Sequence, residues 1–243
     1  MLGRSAAASV VALLVLAACG ETSQVQVQPE ARSAPSVPAP QPPAGMRLVG
    51  LGRAVVAVPQ AWGVQETHCG QPTQDTVYFA EGSARSCLVK QTGIASLAIA
   101  RVDSSTPGKI TRTAAASRQV NGVNVLSSAV VCDTSQSRAC AVSLVVPSEK
   151  AMFTLRVPRG QVARGAPLAE FRESLRILPV GYTTVPFVEY GASVDQAQQL
   201  LAATGLRSES PDVDFPHYAT GTEPPAGTVV ALDDVVMLTI GDG

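Results

Sequence analysis

Thr184-Val185-Pro186-Phe187-Val188-Glu189-Tyr190-Gly191-Ala192-Ser193-Val194-Asp195-Gln196-Ala197 opens the last part of a 243-residue chain and holds its clearest folding signals. Ser193 and Gln196 stand three apart at the head of an apolar run. That spacing predicts a capping box, in which the hydroxyl and the amide oxygen each accept from an otherwise unpaired N–H of the first helical turn. Val194, Ala197, Leu200 and Leu201 recur at helical spacing, and Gly205 can take the left-handed conformation that ends the helix. Beyond it lie the turn Glu223-Pro224-Pro225-Ala226-Gly227-Thr228 and two apolar runs, Val229-Val230-Ala231 and Val235-Val236-Met237-Leu238-Thr239-Ile240. The expectation is one helix against a small three-stranded sheet, over 183–243.

The order of these pieces is Val185-Pro186, Gly191, Ser193-x-x-x-Ala197-x-x-x-Leu201, Gly205-Leu206, Pro225-Ala226-Gly227-Thr228 and Val236-x-Leu238-x-Ile240-Gly241. It resembles a PASTA domain over its whole length. The resemblance implies an extracytoplasmic module of the kind carried by cell-wall kinases and penicillin-binding proteins. That family is associated with peptidoglycan fragments, and some members serve only as spacers or protein docks. It nominates Glu223, Pro225 and Gly227 of the Pro-rich turn as ligand-binding residues. The chain departs from the pattern at Pro211 and Pro216, where a strand is usual, and at Leu232-Asp233-Asp234, where a Lys/Gly-type turn is common.

At the other end, Arg4 precedes the apolar run Val10-Val11-Ala12-Leu13-Leu14-Val15-Leu16-Ala17-Ala18, the n- and h-regions of a secretory signal over 1–18. The run is shorter than the about 20 residues that span a bilayer. Leu16-Ala17-Ala18-Cys19 resembles a bacterial lipobox. The resemblance implies a diacylglyceryl group on the Cys19 thiol, cleavage just before it, and retention at the extracytoplasmic face of the cell membrane by fatty acids of the palmitate type. Two acyl chains suffice for stable attachment where one is marginal. A chance cysteine in an ordinary signal is the alternative. Residues 20–45 are rich in Gln, Ser, Ala and Pro and have almost no large apolar side chain after Val27. With Cys19 they form a lipidated, disordered linker over 19–45, reaching at most about 75 Å.

Between the linker and the last module, 46–182 reads as an antiparallel α+β domain. Arg53-Ala54-Val55-Val56-Ala57-Val58 is a strand closed by Pro59. Further strand-like runs are Thr76–Ala80, Ser86–Lys90, Ser96–Val102, Val123–Cys132, Ala139–Val146 and Ala151–Val157, with Asn121-Gly122 as a hairpin turn. Pro167, Leu168, Phe171, Leu175 and Leu178 predict one closing helix that ends before Pro179. Trp62, the only Trp, reads as a core plug. The Val58-Pro59-x-x-Trp62 opening together with the closing helix Phe171–Leu175 is faintly similar to the PsbP-like α/β/α domains of secreted lipoproteins.

With Cys19 set aside for lipid, Cys69, Cys87, Cys132 and Cys140 remain, an even number that suits disulfides in an oxidising compartment. Three pairings are possible, and the local one joins Cys69 to Cys87 and Cys132 to Cys140. A zinc site is the rival, but no C-x-x-C pair occurs.

The net charge of -1 hides a division. Met46 to Thr184 carries 15 basic and 8 acidic side chains, a balance of +7, and Val185 to Gly243 carries 1 basic and 9 acidic, a balance of -8. The two parts should attract each other or face oppositely charged partners.

Two histidines are a short inventory for acid–base work. His68 adjoins Cys69 in a turn. His217 follows Asp212-Val213-Asp214, which lacks the Gly and Glu of a calcium loop and the paired His of a zinc site. No nucleophile elbow or phosphate loop occurs, and the arginines are spread rather than clustered. The sequence predicts no enzyme, no catalytic residue, no metal or other cofactor and no nucleic-acid partner. It predicts an envelope lipoprotein that binds peptidoglycan or a wall-synthesis protein, or one whose terminal module is structural and binds no glycan.

Overall fold

The computed structural model describes residues 37–80, 93–103, 116–133, 139–162, 167–211 and 217–242. The export signal and Cys19 lie outside them, as do Cys87, the expected strand Ser86–Lys90, Asp212, Asp214 and Pro216. Ser33–Gly243 form one compact unit that holds two hydrophobic cores.

The first core is built by β1 (Met46–Leu51), β2 (Ala54–Pro59), β3 (Gly63–Val64), β4 (Thr67–His68), β5 (Gln71–Pro72), β6 (Thr76–Phe79) and β7 (Ser96–Arg101). They are followed by β8 (Ala116–Val120), β9 (Val123–Ser127), β10 (Val131–Cys132), β11 (Ala139–Val146), β12 (Ala151–Pro158), α1 (Arg159–Val162), α2 (Pro167–Ser174) and β13 (Arg176–Ile177). Ala54 to Val58 are buried without alternation, because β2 lies mid-sheet between β1 and β13 and is covered on both faces. A large sheet runs in the order β3-β6-β7-β12-β11-β9-β8 with β10 beside β11. At its centre, β11 and β12 pair over their full length, from Ala139↔Pro158 to Val146↔Ala151.

The sheet is mixed, which corrects the antiparallel expectation. β3 and β6 are parallel, and so are β6 and β7. Parallel neighbours need a crossover rather than a tight turn. For the first pair the detour runs through the small β4–β5 hairpin, turned by Cys69 and Gly70, both at positive φ. The expected strand Val123–Cys132 is broken. Ser128 Oγ accepts from Ser143 N at 2.9 Å in place of a backbone carbonyl, so β9 stops and β10 starts afresh. Asn121 and Gly122, both at positive φ, form the expected hairpin turn, and their partner strand is β8.

The closing helix ends early. α2 buries Leu168 and Phe171 but stops at Ser174. The Ser174 hydroxyl donates to Phe171 O and accepts from Ala57 N, and the chain leaves in extended form to pair with β2. Leu175 and Leu178 are buried as expected, from this extended segment instead of a helical face.

The second core belongs to β14 (Tyr182–Thr184), β15 (Ala192–Ser193), α3 (Val194–Ala203), β16 (Arg207–Glu209), β17 (His217–Glu223), β18 (Val229–Ala231) and β19 (Val235–Asp242). The capping box forms: Ser193 N donates to Gln196 Oε1 at 3.1 Å, and Gln196 N donates to Ser193 Oγ at 3.2 Å. Gly205 closes the helix at φ +81°. Ala197 and Leu201 pack with Val185, Val188, Leu206, Val236 and Leu238. The strands outnumber the three expected. A four-stranded sheet runs β15-β17-β19-β16 and a separate ladder joins β14 to β18. β16 ends at Glu209, two residues before Pro211, and runs parallel to β19. The first core ends at Ile177 and the second begins at Val185, so the boundary drawn at 182 falls within β14.

The two cores are joined by backbone and by rings. Thr184 N and its hydroxyl both donate to Gly52 O, at 3.0 and 3.1 Å, and Gly50 N donates to Gly227 O at 3.0 Å. Within the first domain, Leu178 N donates to Arg53 O while the Arg53 side chain returns two bonds to Leu178 O, at 3.0 and 2.7 Å, which fixes the chain just before β14. Phe187 and Ala226 pack against the first core, and Phe187 stacks on Phe79.

Candidate functional site

Among the described residues, no group of three His, Cys, Asp or Glu could hold a metal ion. His68 is exposed on β4, opposite Gln71. His217 opens β17 opposite Asp242. Cys132 and Cys140 face each other across β10 and β11 and are disulfide-bonded, which staples the base of the expected hairpin. Cys69 is disulfide-bonded as well; its expected partner Cys87 lies outside the described residues. No helix among the described residues is long and apolar enough to cross a membrane.

The nominated turn is divided in its surroundings. Glu223 and Pro225 are exposed, whereas Gly227 is buried. It sits at φ +84°, its N donates to Val185 O at 2.8 Å, and a Cβ there would lie 3.3 Å from Phe79 Cζ and 3.5 Å from Gly50 O. Glycine is required because the turn passes against the first domain in a conformation that other residues resist. Gly227 therefore belongs to the joint, and only its two neighbours face solvent.

A different surface of the same module presents aromatic rings. Tyr190 is 68% exposed, yet its hydroxyl is 2.8 Å from that of Tyr218 and the two rings meet edge to face at 5.2 Å. The pairing fixes an exposed ring that would otherwise sample several rotamers. Glu189 and Ala192, on either side of Tyr190 and Gly191, line a shallow groove of about 340 Å³ with Gln196 and Leu200 of α3. Ring, carboxylate and amide together offer an apolar face and directed hydrogen bonds to a polar, ring-bearing ligand. Sequence reasoning passed over this pair because its members are 28 residues apart.

The larger concavity is in the first domain. A cleft of about 710 Å³ opens between α2, the ends of β2 and β12, and the chain at Pro43-Ala44. Trp62 forms part of its wall. This side chain packs against the first core, as expected, but is only partly buried and leaves a face on the cleft. Arg47 fastens it by donating Nη2 to Trp62 O at 3.0 Å, and burial lowers the Arg47 pKa from its ordinary value. The Val58-Pro59-x-x-Trp62 spacing was the available signal, since Pro59 ends the strand and Trp62 follows in the turn, its N donating to Pro59 O at 3.1 Å.

No protein-family model, no curated protein and no solved structure matches this chain. The resemblances named above rest on the motifs quoted for them.

Proposed function

We propose that the chain is a lipid-anchored protein of the extracytoplasmic face of the cell membrane, non-catalytic, which binds peptidoglycan or a protein of wall synthesis through its carboxy-terminal module. The observation that carries the reading is the braced Tyr190–Tyr218 pair beside the groove of Glu189 and Gln196. It lies on the PASTA-like segment, apart from the turn that meets the first domain, and so stays open while the module is docked. Exposed, preorganised aromatic rings flanked by a few polar groups are efficient recognition elements, because little rotamer freedom is lost on binding. The test is co-sedimentation of residues 33–243 with purified peptidoglycan. Tyr190→Ala should abolish it and Glu223→Ala should leave it unchanged; sedimentation indifferent to Tyr190→Ala would count against the reading.

A second reading is favoured by Gly227 itself. Its burial against Phe79 and Gly50 makes the Pro-rich turn a structural joint, so the module would act as a brace or protein dock that binds no glycan. Absence of sedimentation by the intact 33–243 protein, with the Phe79–Phe187 contact intact by fluorescence or NMR, would favour it.

A further inference from the structure

The cleft of the first domain is separate from the module surface just discussed. Its volume of about 710 Å³ falls in the range of small-ligand sites, about 300–1,000 Å³, and such sites are lined mainly by apolar and aromatic groups with a few polar ones. Here Trp62, Leu155, Val157 and Phe171 supply the apolar wall. Leu155, Val157 and Phe171 are otherwise buried core residues, so the cleft reaches into the first core.

The polar residues at its rim are biased in sign. Asp75, Glu170 and Glu173 contribute carboxylates, and Arg176 is the one basic residue of the lining. Arg176 turns its guanidinium back onto the carbonyls of Glu173 and Leu175. Glu173 pairs with Arg118 at 3.4 Å on the outer side. Asp75 uses Oδ1 to accept from Ala95 N at 2.8 Å, which fixes this carboxylate on the cleft lining. Asp75 and Glu170 thus place two carboxylates without an ion-pair partner among the described residues on the lining, against the guanidinium of Arg176 and with Arg47 held on the Trp62 carbonyl.

We infer that this cleft binds a small amphiphile with an apolar chain or ring system and a cationic head, the chain against Trp62 and Phe171 and the head between Asp75 and Glu170. The apolar interior supplies the attraction, by removal of hydrocarbon from water. The rim supplies the selectivity, since an anionic head of equal size would be placed against like charge.

Trp62 is the only tryptophan in the chain, so its fluorescence reports this cleft and nothing else. Residues 33–243, the compact unit, are titrated with decyltrimethylammonium, decanol or decyl sulfate below micelle formation, and the melting temperature is followed in parallel. The expected result is a saturable change in Trp62 emission with a rising melting temperature. The cation should bind roughly fivefold more tightly than the sulfate, as expected for exposed charges. Ala44→Phe, at the exposed edge of the mouth, should remove the saturable change, and Glu170→Lys should reverse the head-group preference. Tyr190→Ala should alter none of this, which separates the cleft from the wall-binding reading. Equal affinity for all three amphiphiles, emission without saturation, or a falling melting temperature would overturn the inference. So would emission in residues 20–243 that already matches the amphiphile-bound value and no longer responds, since the chain's own linker would then be the occupant.

Discussion

Phe79 and Phe187 stack with ring centroids 5.3 Å apart and planes 5° from parallel, the first a member of the first core and the second a residue of the carboxy-terminal module packed against it. Beneath them, Gly227 lies close enough to Phe79 that a single added methyl group would crowd the ring. The carboxy-terminal module is thus seated by a ring stack and backbone hydrogen bonds. Phe187→Ala should cost about 2 kcal/mol, less than a fully buried Phe because this ring is only partly buried. Urea unfolding should divide into two transitions as the module loses its seat.

Gly227→Ala should cost about 1–2 kcal/mol, from the left-handed backbone together with contact against Phe79. Thermal unfolding checks it. Pro225→Ala, at an exposed neighbour, should change stability far less.

The charge division between the two parts suggests salt-sensitive docking, but the contacts that join them are largely uncharged. Exposed charges are screened beyond about 3 Å at 1 M salt, while stacked rings and backbone bonds are not. The Phe79–Phe187 contact, followed by aromatic NMR cross-peaks, should survive the change from low salt to 1 M. Its loss would mean that attraction between the basic and acidic surfaces does the seating.

Removal of the local staple should be felt at one hairpin. Replacing Cys132 and Cys140 together with Ala should cost about 2.5 kcal/mol by loop entropy, because the bridge spans only a short separation. Amide exchange should accelerate at Val131 to Asp133 and Ala139 to Ala141, and much less in β7 and β12.

Ser193→Ala should cost about 1 kcal/mol, as both bonds of the capping box are lost or weakened. Circular dichroism and urea midpoints check it. This device was legible in the sequence because a capping box is set by two residues three apart. The Asn121-Gly122 turn and the Cys132–Cys140 bridge were legible for the same reason: each is specified by neighbours in sequence.

What depends on distant partners was not legible. The early end of α2 is fixed by Ala57 N, which offers its hydrogen to Ser174. The break between β9 and β10 depends on Ser143 reaching the Ser128 hydroxyl. Parallel pairing of β3, β6 and β7 follows from where the connections travel, which apolar runs do not encode. The burial of Gly227 needs Phe79, and the bracing of Tyr190 needs Tyr218. A family resemblance could point to the module, but the part of its surface left open could be read only from the folded chain.

The most direct measurement is the amide spectrum of residues 33–243 titrated with soluble muropeptides. Binding at the braced tyrosines should shift Glu189, Tyr190, Gly191, Ala192 and Gln196 in a saturable way while Gly227 and Gly50 stay fixed. Shifts centred on Gly227 and Gly50, or no shifts at all, would contradict recognition of wall polymer at Tyr190 and Tyr218.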